Sequence, residues 1–242
     1  MSDPFDACAA AVRKYDPDRY FSALFAPADK RPFLFALYAL NHELAHVGES
    51  VREPMIGEIR LQWWREALDG ARAGNPRNHD VVRALAATLA KVALPEGLVD
   101  AMIDARQFDL MSGTFGDDGK RDAYVDATSG NLMRLAARIL GAGNRHDDLA
   151  REAGLAYGLA GLLRNQLRHP SRRFLNPDND ACAQQDAKAH LTRAKRLPKP
   201  GKSLAAFLPA ALVPLYLADP AKDVPIHRRQ LRLLSACLRG RI

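Results

Sequence analysis

The sequence predicts an all-α protein, and three observations support that fold class. Apolar residues recur at spacings of three and four through most of the 242 residues, which is the period of a helix with one buried face. Prolines and small polar residues stand where helices begin or end. Alternating strand patterns and internal repeats are absent from the sequence. With 48% hydrophobic residues a chain of this length buries a substantial core, so we expect one domain over residues 1–242.

The first half of the chain shows clear helix start signals. Asp3-Pro4 and Asp16-Pro17 each provide an N-cap followed by proline. Proline suits this position because it lacks an amide proton that the first turn would leave unpaired. Pro54 and Pro95 mark two further starts. The predicted helices are 5–14, 17–26, 29–48, 54–73, 79–91 and 96–111.

In the second half, helical spacing runs over residues 124–140 and 147–168. Glycines 154, 158 and 161 flatten one face of the second helix, which admits either a neighbouring helix or a ligand. Residues 169–180 and 197–202 are predicted to be breaks. The segment 224–238 is predicted to be a basic amphipathic helix that closes the bundle or lies on an anionic membrane. Its apolar side is formed by Ile226, Leu231, Leu234 and Leu238.

The charge of the chain favours an anionic partner. Net charge is +7 and the sequence pI is about 9.5. A phosphate, a diphosphate lipid or a membrane surface fits this charge, and so does simple solubility. Binding to nucleic acid would rest on net charge alone, so we do not expect it.

The chain lacks the sequence features of an exported or disulfide-linked protein. Three widely spaced cysteines suggest neither a disulfide framework nor a thiolate metal site. The most apolar segment, 203–218, contains Pro209 and Pro214 and is shorter than the ~20 apolar residues of a membrane span. The N-terminus is acidic, unlike a signal peptide. We expect a cytoplasmic protein that is soluble or peripheral on the inner face of the cytoplasmic membrane.

The stretch from Asp29 to Leu68 concentrates aromatic residues and a cluster of His and Glu. Within it, residues 42–46 read HELAH, which fits the zinc-peptidase pattern H-E-x-x-H. In that pattern two histidines one turn apart bind the metal and the glutamate acts as general base. His42, His46 and Glu49 would be the ligands here. Three ligands within two turns of one helix rarely close a tetrahedral site, so a zinc hydrolase is the weaker alternative.

Motifs over most of the chain resemble the squalene/phytoene synthase family, which joins prenyl diphosphates head to head. They comprise RPFLFALYAL at 31–40, Trp63-Trp64, Ala105-Arg106 with Asp109-Leu110, Tyr124 with Thr128-Ser129-Gly130, and Arg164 followed by RFLNP at 173–177. The resemblance implies an isoprenoid-synthase-type helical bundle with a central cavity. It also implies carboxylates one turn apart on two helices, which hold Mg²⁺ against the diphosphates.

The first aspartate-rich motif of the family is altered in this chain. Ala45 and His46 stand where the family has paired aspartates, and Glu49 stands at the third acidic position. His42, next to Asn41, replaces an arginine that binds phosphate. One carboxylate therefore remains in this motif.

The second aspartate-rich motif is altered as well. Asn165 and His169 stand at the aspartate positions, and Gly158 and Gly161 replace glutamine and asparagine. Arg164 is retained. Of the four principal metal-binding acids of the family, one has a carboxylate counterpart here, so we expect the magnesium cluster to be lost.

Residues 41–45 and 59–64 also resemble a non-catalytic branch of the family that includes an assembly factor of respiratory complex I. We therefore expect a pseudoenzyme without a cofactor, which acts in binding or assembly at a membrane surface. An isoprenoid or other lipid is its expected ligand, and a respiratory complex subunit is its expected partner. The alternative is an active prenyltransferase that uses Mg²⁺ and prenyl diphosphates. The residues predicted to line the cavity or bind an anion are Tyr38, Arg60, Trp64, Tyr124, Arg164, Arg172 and Arg173.

Overall fold

The computed structural model describes residues 3–51, 53–111, 113–168, 174–175 and 180–242. All regular secondary structure within these ranges is helical, which confirms the predicted all-α class. The α-helices are, in chain order, α1 (Pro4–Tyr15), α2 (Pro17–Ala23), α3 (Arg31–Ser50), α4 (Pro54–Arg72), α5 (Asp80–Leu89), α6 (Glu96–Ala105), α7 (Asp118–Val125), α8 (Asn131–Ile139), α9 (Asp147–Arg168), α10 (Asp180–Arg196), α11 (Leu204–Phe207), α12 (Val213–Ala218) and α13 (Ile226–Arg239). Shorter 3₁₀ turns span Arg106–Leu110, Asn144–His146, Gly201–Ser203 and Leu208–Leu212.

The first two helices begin as their caps predict. The Asp3 side chain accepts a hydrogen bond from the Phe5 amide at 2.9 Å, and Asp16 accepts one from the Arg19 amide at 3.1 Å. Helix α2 ends at Ala23 rather than at residue 26. Pro27 follows closely, and a proline disfavours helical geometry in the residue before it.

The region predicted as one helix over 124–140 is interrupted. Helix α7 begins earlier, at Asp118, because the Asp117 carboxylate accepts a hydrogen bond from the Lys120 amide at 2.7 Å. A π-helical turn, Asp126–Gly130, then separates α7 from α8. Such turns widen a helix locally and are frequent at functional sites. This turn packs against α9.

Helices α3 and α9 position the site. Both predicted ranges are confirmed closely, and α9 has the predicted bounds 147–168. Helix α3 packs on α1 and α5 through buried apolar residues such as Leu37 and Leu44, while α9 packs on α8 and α10. A cavity lies between the faces of α3 and α9 that do not pack on these helices.

The apolar segment Gly201–Ala218 forms a nearly continuous helical path that passes through both of its prolines. By length and composition it is long and apolar enough to cross a membrane, and 67% of it is buried inside the protein. Pro209 and Pro214 thus lie at the starts of helical turns within the segment. Proline is accommodated because each one starts a new turn, where its missing amide proton is not needed.

The structure corrects the predicted orientation of α13. Leu233 and Ala236 are buried, whereas Leu231, Leu234 and Leu238 are 63%, 44% and 80% exposed. Ile226 is exposed as well. The prediction that these four residues close the bundle is wrong, because polar bonds turn the basic side inward: Arg229 pairs with buried Asp18 at 2.7 Å, and Arg232 Nε donates to the Ala211 carbonyl at 2.9 Å.

Candidate functional site

A cavity of about 720 Å³ lies between α3, α9 and the segment that runs from Arg106 to the π turn. Both altered motifs contribute to its wall. On each helix the motif residues that contribute are three or four positions apart and therefore share a face. They are Asn41, Ala45 and Glu49 from α3, and Gly158, Gly161 and Asn165 from α9.

The glycines of α9 have two different roles. A Cβ atom at Gly154 would lie 2.5 Å from the Gly130 Cα, and one at Gly158 would lie 2.4 Å from a methyl group of Val125. These two positions let the π turn pack closely on α9. A Cβ atom at Gly161 would meet nothing within 4 Å, so this glycine keeps the cavity open. The flattened face is thus used for close packing at Gly154 and Gly158, and at Gly161 it borders the cavity.

A buried polar network forms one wall of the cavity. Arg106 donates to Asp109 Oδ2 at 3.0 Å and to the Tyr124 hydroxyl oxygen at 2.9 Å. The Tyr124 hydroxyl donates to Asp109 Oδ1 at 2.6 Å, and burial raises the pKa of Tyr124. Arg106 also reaches Asn41 Oδ1 at 3.5 Å. Both oxygens of the Asp109 carboxylate are thus already engaged.

Another part of the wall is formed by Arg19 and Tyr157. The Arg19 guanidinium is buried, pairs with Asp16 at 2.7 Å and lies 5.0 Å from the centre of the Tyr157 ring. The Tyr157 hydroxyl donates to Asp18 at 3.0 Å. Sequence reasoning missed these residues. The spacing of Asp16 and Arg19 indicates a local ion pair, but it does not show that the pair faces a cavity.

His42 and His46 lie outside the cavity wall, although both were assigned to the first motif. The His42 ring stacks on Tyr15 of α1 at 4.3 Å and on His46 at 5.7 Å, measured between ring centroids. Burial lowers the pKa of His42. His46 Nδ1 lies 3.3 Å from Glu49 Oε2. The two histidines therefore form an outer face of α3 beside α1.

The geometry gives no support to a zinc centre at these histidines. Among the described residues, the one group of three potential ligands whose donor atoms lie within 4.8 Å of one another is Asp118, Cys182 and Asp186. His42, His46 and Glu49 do not converge in this way. In the group of Asp118, Cys182 and Asp186, both carboxylates pair with the Arg121 guanidinium, Asp118 at 2.7 Å and Asp186 at 2.6 Å. The two carboxylates are thus already paired with a guanidinium.

Four of the residues predicted to line the cavity or bind an anion do not contribute to its wall. Tyr38 is buried beside it, and its hydroxyl has no hydrogen-bond partner in the described part of the chain. Arg60 is exposed and donates to Ser50 Oγ at 2.6 Å. Trp64 is buried in a cluster with Trp63 and His79. Tyr38 shares the face of Asn41 and Ala45 but lies one turn nearer the start of α3, and α4 contributes no residue to the described wall.

Arg164 is the fourth of these residues. Its guanidinium lies 3.7 Å from the centre of the Tyr216 ring, and one of its nitrogens is 3.7 Å from Asp223. The sequence left open whether Arg164 holds an anion or pairs with an acid such as Glu49. The structure pairs it with Asp223 of the α12–α13 connection instead. Tyr124 does line the cavity, as predicted, whereas His169, Arg172 and Arg173 lie outside the described residues.

A magnesium–diphosphate cluster does not fit the donor set of this wall. Mg²⁺ needs several oxygen ligands, which paired carboxylates supply in such sites. Within the described ranges the wall carries two carboxylates, Glu49 and Asp109. Asp109 is held by Arg106 and Tyr124, and Glu49 lies beside His46. The facing positions on α9 are Asn165 and two glycines, which offer no carboxylate.

The sequence model of squalene/phytoene synthases matches residues 12–196 of this chain. The protein belongs to the squalene/phytoene synthase family. The predicted family is thereby confirmed. Six of the positions that the sequence assigns to the two motifs line the cavity, whereas His42, His46 and Arg164 do not.

Two kinds of relative within the family are similar to this chain. The NADH dehydrogenase (ubiquinone) complex I assembly factor 6 of Bos taurus is 32% identical over 72% of this chain and 53% of its own length. That of Homo sapiens is 31% identical over the same shares. The 15-cis-phytoene synthase of Synechococcus elongatus is 23% identical over 69% of this chain and 57% of its own length. The chain spans about half the length of these relatives.

Solved structures confirm the isoprenoid-synthase-type fold. A dehydrosqualene synthase superposes with a TM-score of 0.80 at 14% identity, covering 98% of this chain and 95% of its own. The squalene synthase HpnC from Alicyclobacillus acidocaldarius superposes with a TM-score of 0.72 at 18% identity, covering 98% and 94%. At these identities the likeness concerns the fold alone.

Proposed function

We propose that this member of the family is a pseudoenzyme that binds a ligand in its cavity and acts in the assembly of a respiratory complex at a membrane surface. One observation carries the proposal. The two motif faces still meet across a cavity of about 720 Å³, but of the motif acids only Glu49 remains on the described wall. Binding therefore fits this site better than the chemistry of its family.

The cavity suits an apolar ligand. Its volume lies within the range of about 300–1,000 Å³ that is typical of small-molecule sites. Leu110, Met111, Val125, Leu162 and Phe174 contribute apolar surface to its wall. The Phe115 ring stacks on Phe108 at 4.2 Å behind this surface. An isoprenoid or other lipid is the ligand class that we propose.

Prenyl transfer would make demands that this wall does not meet. Breaking the bond to a diphosphate places negative charge on the leaving group, and catalysis requires preorganised cations to stabilise it. The two arginines of the wall are already paired, Arg19 with Asp16 and Arg106 with Asp109. An active prenyltransferase is therefore the less favoured function.

The assembly role is supported by relatives that share more of their residues with this chain than the phytoene synthases do. Assembly factors of complex I reach 32% identity with this chain, whereas the phytoene synthases reach 23%. We accordingly propose a subunit of a respiratory complex as the partner. The site of action would be the membrane face on which that complex is built. The predicted cytoplasmic location stays a prediction.

Deleting the gene is expected to lower assembled complex I, measured as NADH:ubiquinone activity and as intact complex in native gels. Gly161→Leu should fail to restore assembly, because the new side chain enters the cavity where a Cβ atom meets nothing within 4 Å. Gly97→Leu is the matched control, since its Cβ atom also meets nothing within 4 Å and it lies outside the cavity wall. The proposal is wrong if deletion leaves complex I intact, or if Gly161→Leu restores it fully.

A further inference from the structure

A second pocket, of about 280 Å³, lies between the end of α10, the connection 197–200 and α13. Its wall is unusually basic. Apolar residues such as Leu149 and Leu197 form its floor, and within the described residues no acidic side chain contributes to it. The cationic residues of the wall are Lys195, Lys199, Arg232, Arg239 and Arg241.

None of these five cations is neutralised by the described part of the protein. Four of them are exposed and Arg232 is half-buried, and within the described ranges no carboxylate lies within 4.0 Å of any of the five. The buried arginines Arg19 and Arg121, by contrast, are both ion-paired. The one polar bond is from Arg232 Nε to the Ala211 carbonyl at 2.9 Å. Burial and the nearby guanidinium groups of Arg232 and Arg239 lower the pKa of Lys195. A bound anion would relieve this repulsion.

The pocket adjoins the exposed leucines of α13. Arg232 and Arg239 are seven residues apart and therefore project from the same side of the helix. Leu231 and Leu238 each precede one of these arginines, so they lie about 100° around the helix from the pocket. With Leu234 they form an exposed stripe, which we call the leucine stripe. The leucine stripe lies on the face of α13 opposite to the face that carries the buried Leu233 and Ala236.

The two features together identify the kind of anion. A soluble phosphate would be held by the cations and would gain nothing from the leucines. At a membrane surface both are used, because the cations meet anionic headgroups while the leucines enter the boundary between headgroups and acyl chains. Nucleic acid or an acidic protein would leave the apolar stripe without a partner.

We propose that the basic pocket binds the phosphate headgroup of an anionic phospholipid, with the leucine stripe inserted beside it at the membrane surface. This proposal rests on the proposed function and names the contact through which the protein would meet the membrane surface. The contact uses α10 and α13 and does not involve the large cavity. Its test is therefore separate from the assays of complex assembly and of prenyl transfer.

The test is co-sedimentation of the full chain with vesicles of phosphatidylcholine containing phosphatidylglycerol, compared with phosphatidylcholine alone. The wild type should partition to the anionic vesicles. The double variant Lys195→Gln with Arg239→Gln should partition about 25-fold more weakly, since each basic residue at an anionic surface contributes about fivefold. Lys91→Gln with Arg145→Gln is the matched control. It removes the same charge from exposed positions outside the pocket and should leave partitioning close to wild type.

A second pair of variants tests the leucine stripe. Leu231→Ser with Leu238→Ser should weaken partitioning by about tenfold or more, whereas Met55→Ser with Ile59→Ser, equally exposed on α4, should not. Equal losses in test and control pairs would show a general charge or apolar effect and overturn the proposal. So would wild-type binding to inorganic phosphate or to DNA without binding to anionic vesicles.

Discussion

Gly154→Ala is expected to destabilise the protein by about 2–3 kcal/mol, the upper range for an overpacked core. The added methyl group would lie 2.5 Å from the Gly130 Cα and 2.7 Å from the Gly130 nitrogen. Both are backbone atoms of the π turn, so no side-chain rotation can relieve the contact. The π turn must therefore move away from α9. This movement disturbs the part of the cavity wall that Thr128 and Ser129 form. Urea unfolding followed by circular dichroism measures this change.

Gly161→Ala on the same helix is the matched control. It adds the same methyl group where nothing lies within 4 Å, and replacing glycine in a helix interior stabilises by up to about 1 kcal/mol. The two variants should therefore change the free energy of unfolding in opposite directions. Destabilisation of similar size in both would show that α9 does not pack against the π turn as described.

Asp18→Ala is expected to cost about 3–5 kcal/mol, the loss typical of removing one partner from a buried ion pair. The Asp18 carboxylate is buried, accepts hydrogen bonds from the Tyr157 and Tyr216 hydroxyls, and pairs with Arg229 at 2.7 Å. It thereby joins α2 to α9, α12 and α13. The substitution leaves two hydroxyls and a guanidinium without their acceptor, each of which is costly when buried.

Asp219→Ala provides the comparison for Asp18→Ala. Asp219 pairs with Lys222 at 2.8 Å in an exposed loop, and exposed pairs contribute little to stability because solvent screens them. Thermal unfolding should separate the two variants clearly. If Asp18→Ala unfolds at the same temperature as Asp219→Ala, the four helices are not held together by this carboxylate.

Local signals were enough to predict most of the fold. The caps at Asp3 and Asp16 and the apolar spacing of α9 act within a few residues, so the sequence specifies those helices directly. The orientation of α13 could not be predicted in the same way. Hydrophobicity alone predicts that its leucines face inward. The ion pair that turns Arg229 inward instead is made with Asp18, 211 residues earlier in the chain.

The candidate site was predictable in part for the same reason. Asn41, Ala45 and Glu49 are four residues apart, so helical geometry alone places them on one face. His42 and His46 follow one residue later and lie about 100° around the helix, which explains why they face α1 instead of the cavity. Tyr157 is four residues before Gly161, so helical spacing carried a signal for it. Arg19 reaches the wall through tertiary packing, for which the sequence carries no periodic signal.

Diphosphate release tests the central claim, that this family member binds without catalysing. Purified protein is incubated with Mg²⁺ and farnesyl or geranylgeranyl diphosphate, and the diphosphate set free is measured. We predict no release above the rate without protein, because the described wall lacks the paired carboxylates on two facing helices that would hold the metal. Release at an ordinary enzymatic rate, lost in Glu49→Gln and kept in the exposed control Glu53→Gln, would contradict the account and identify an active prenyltransferase.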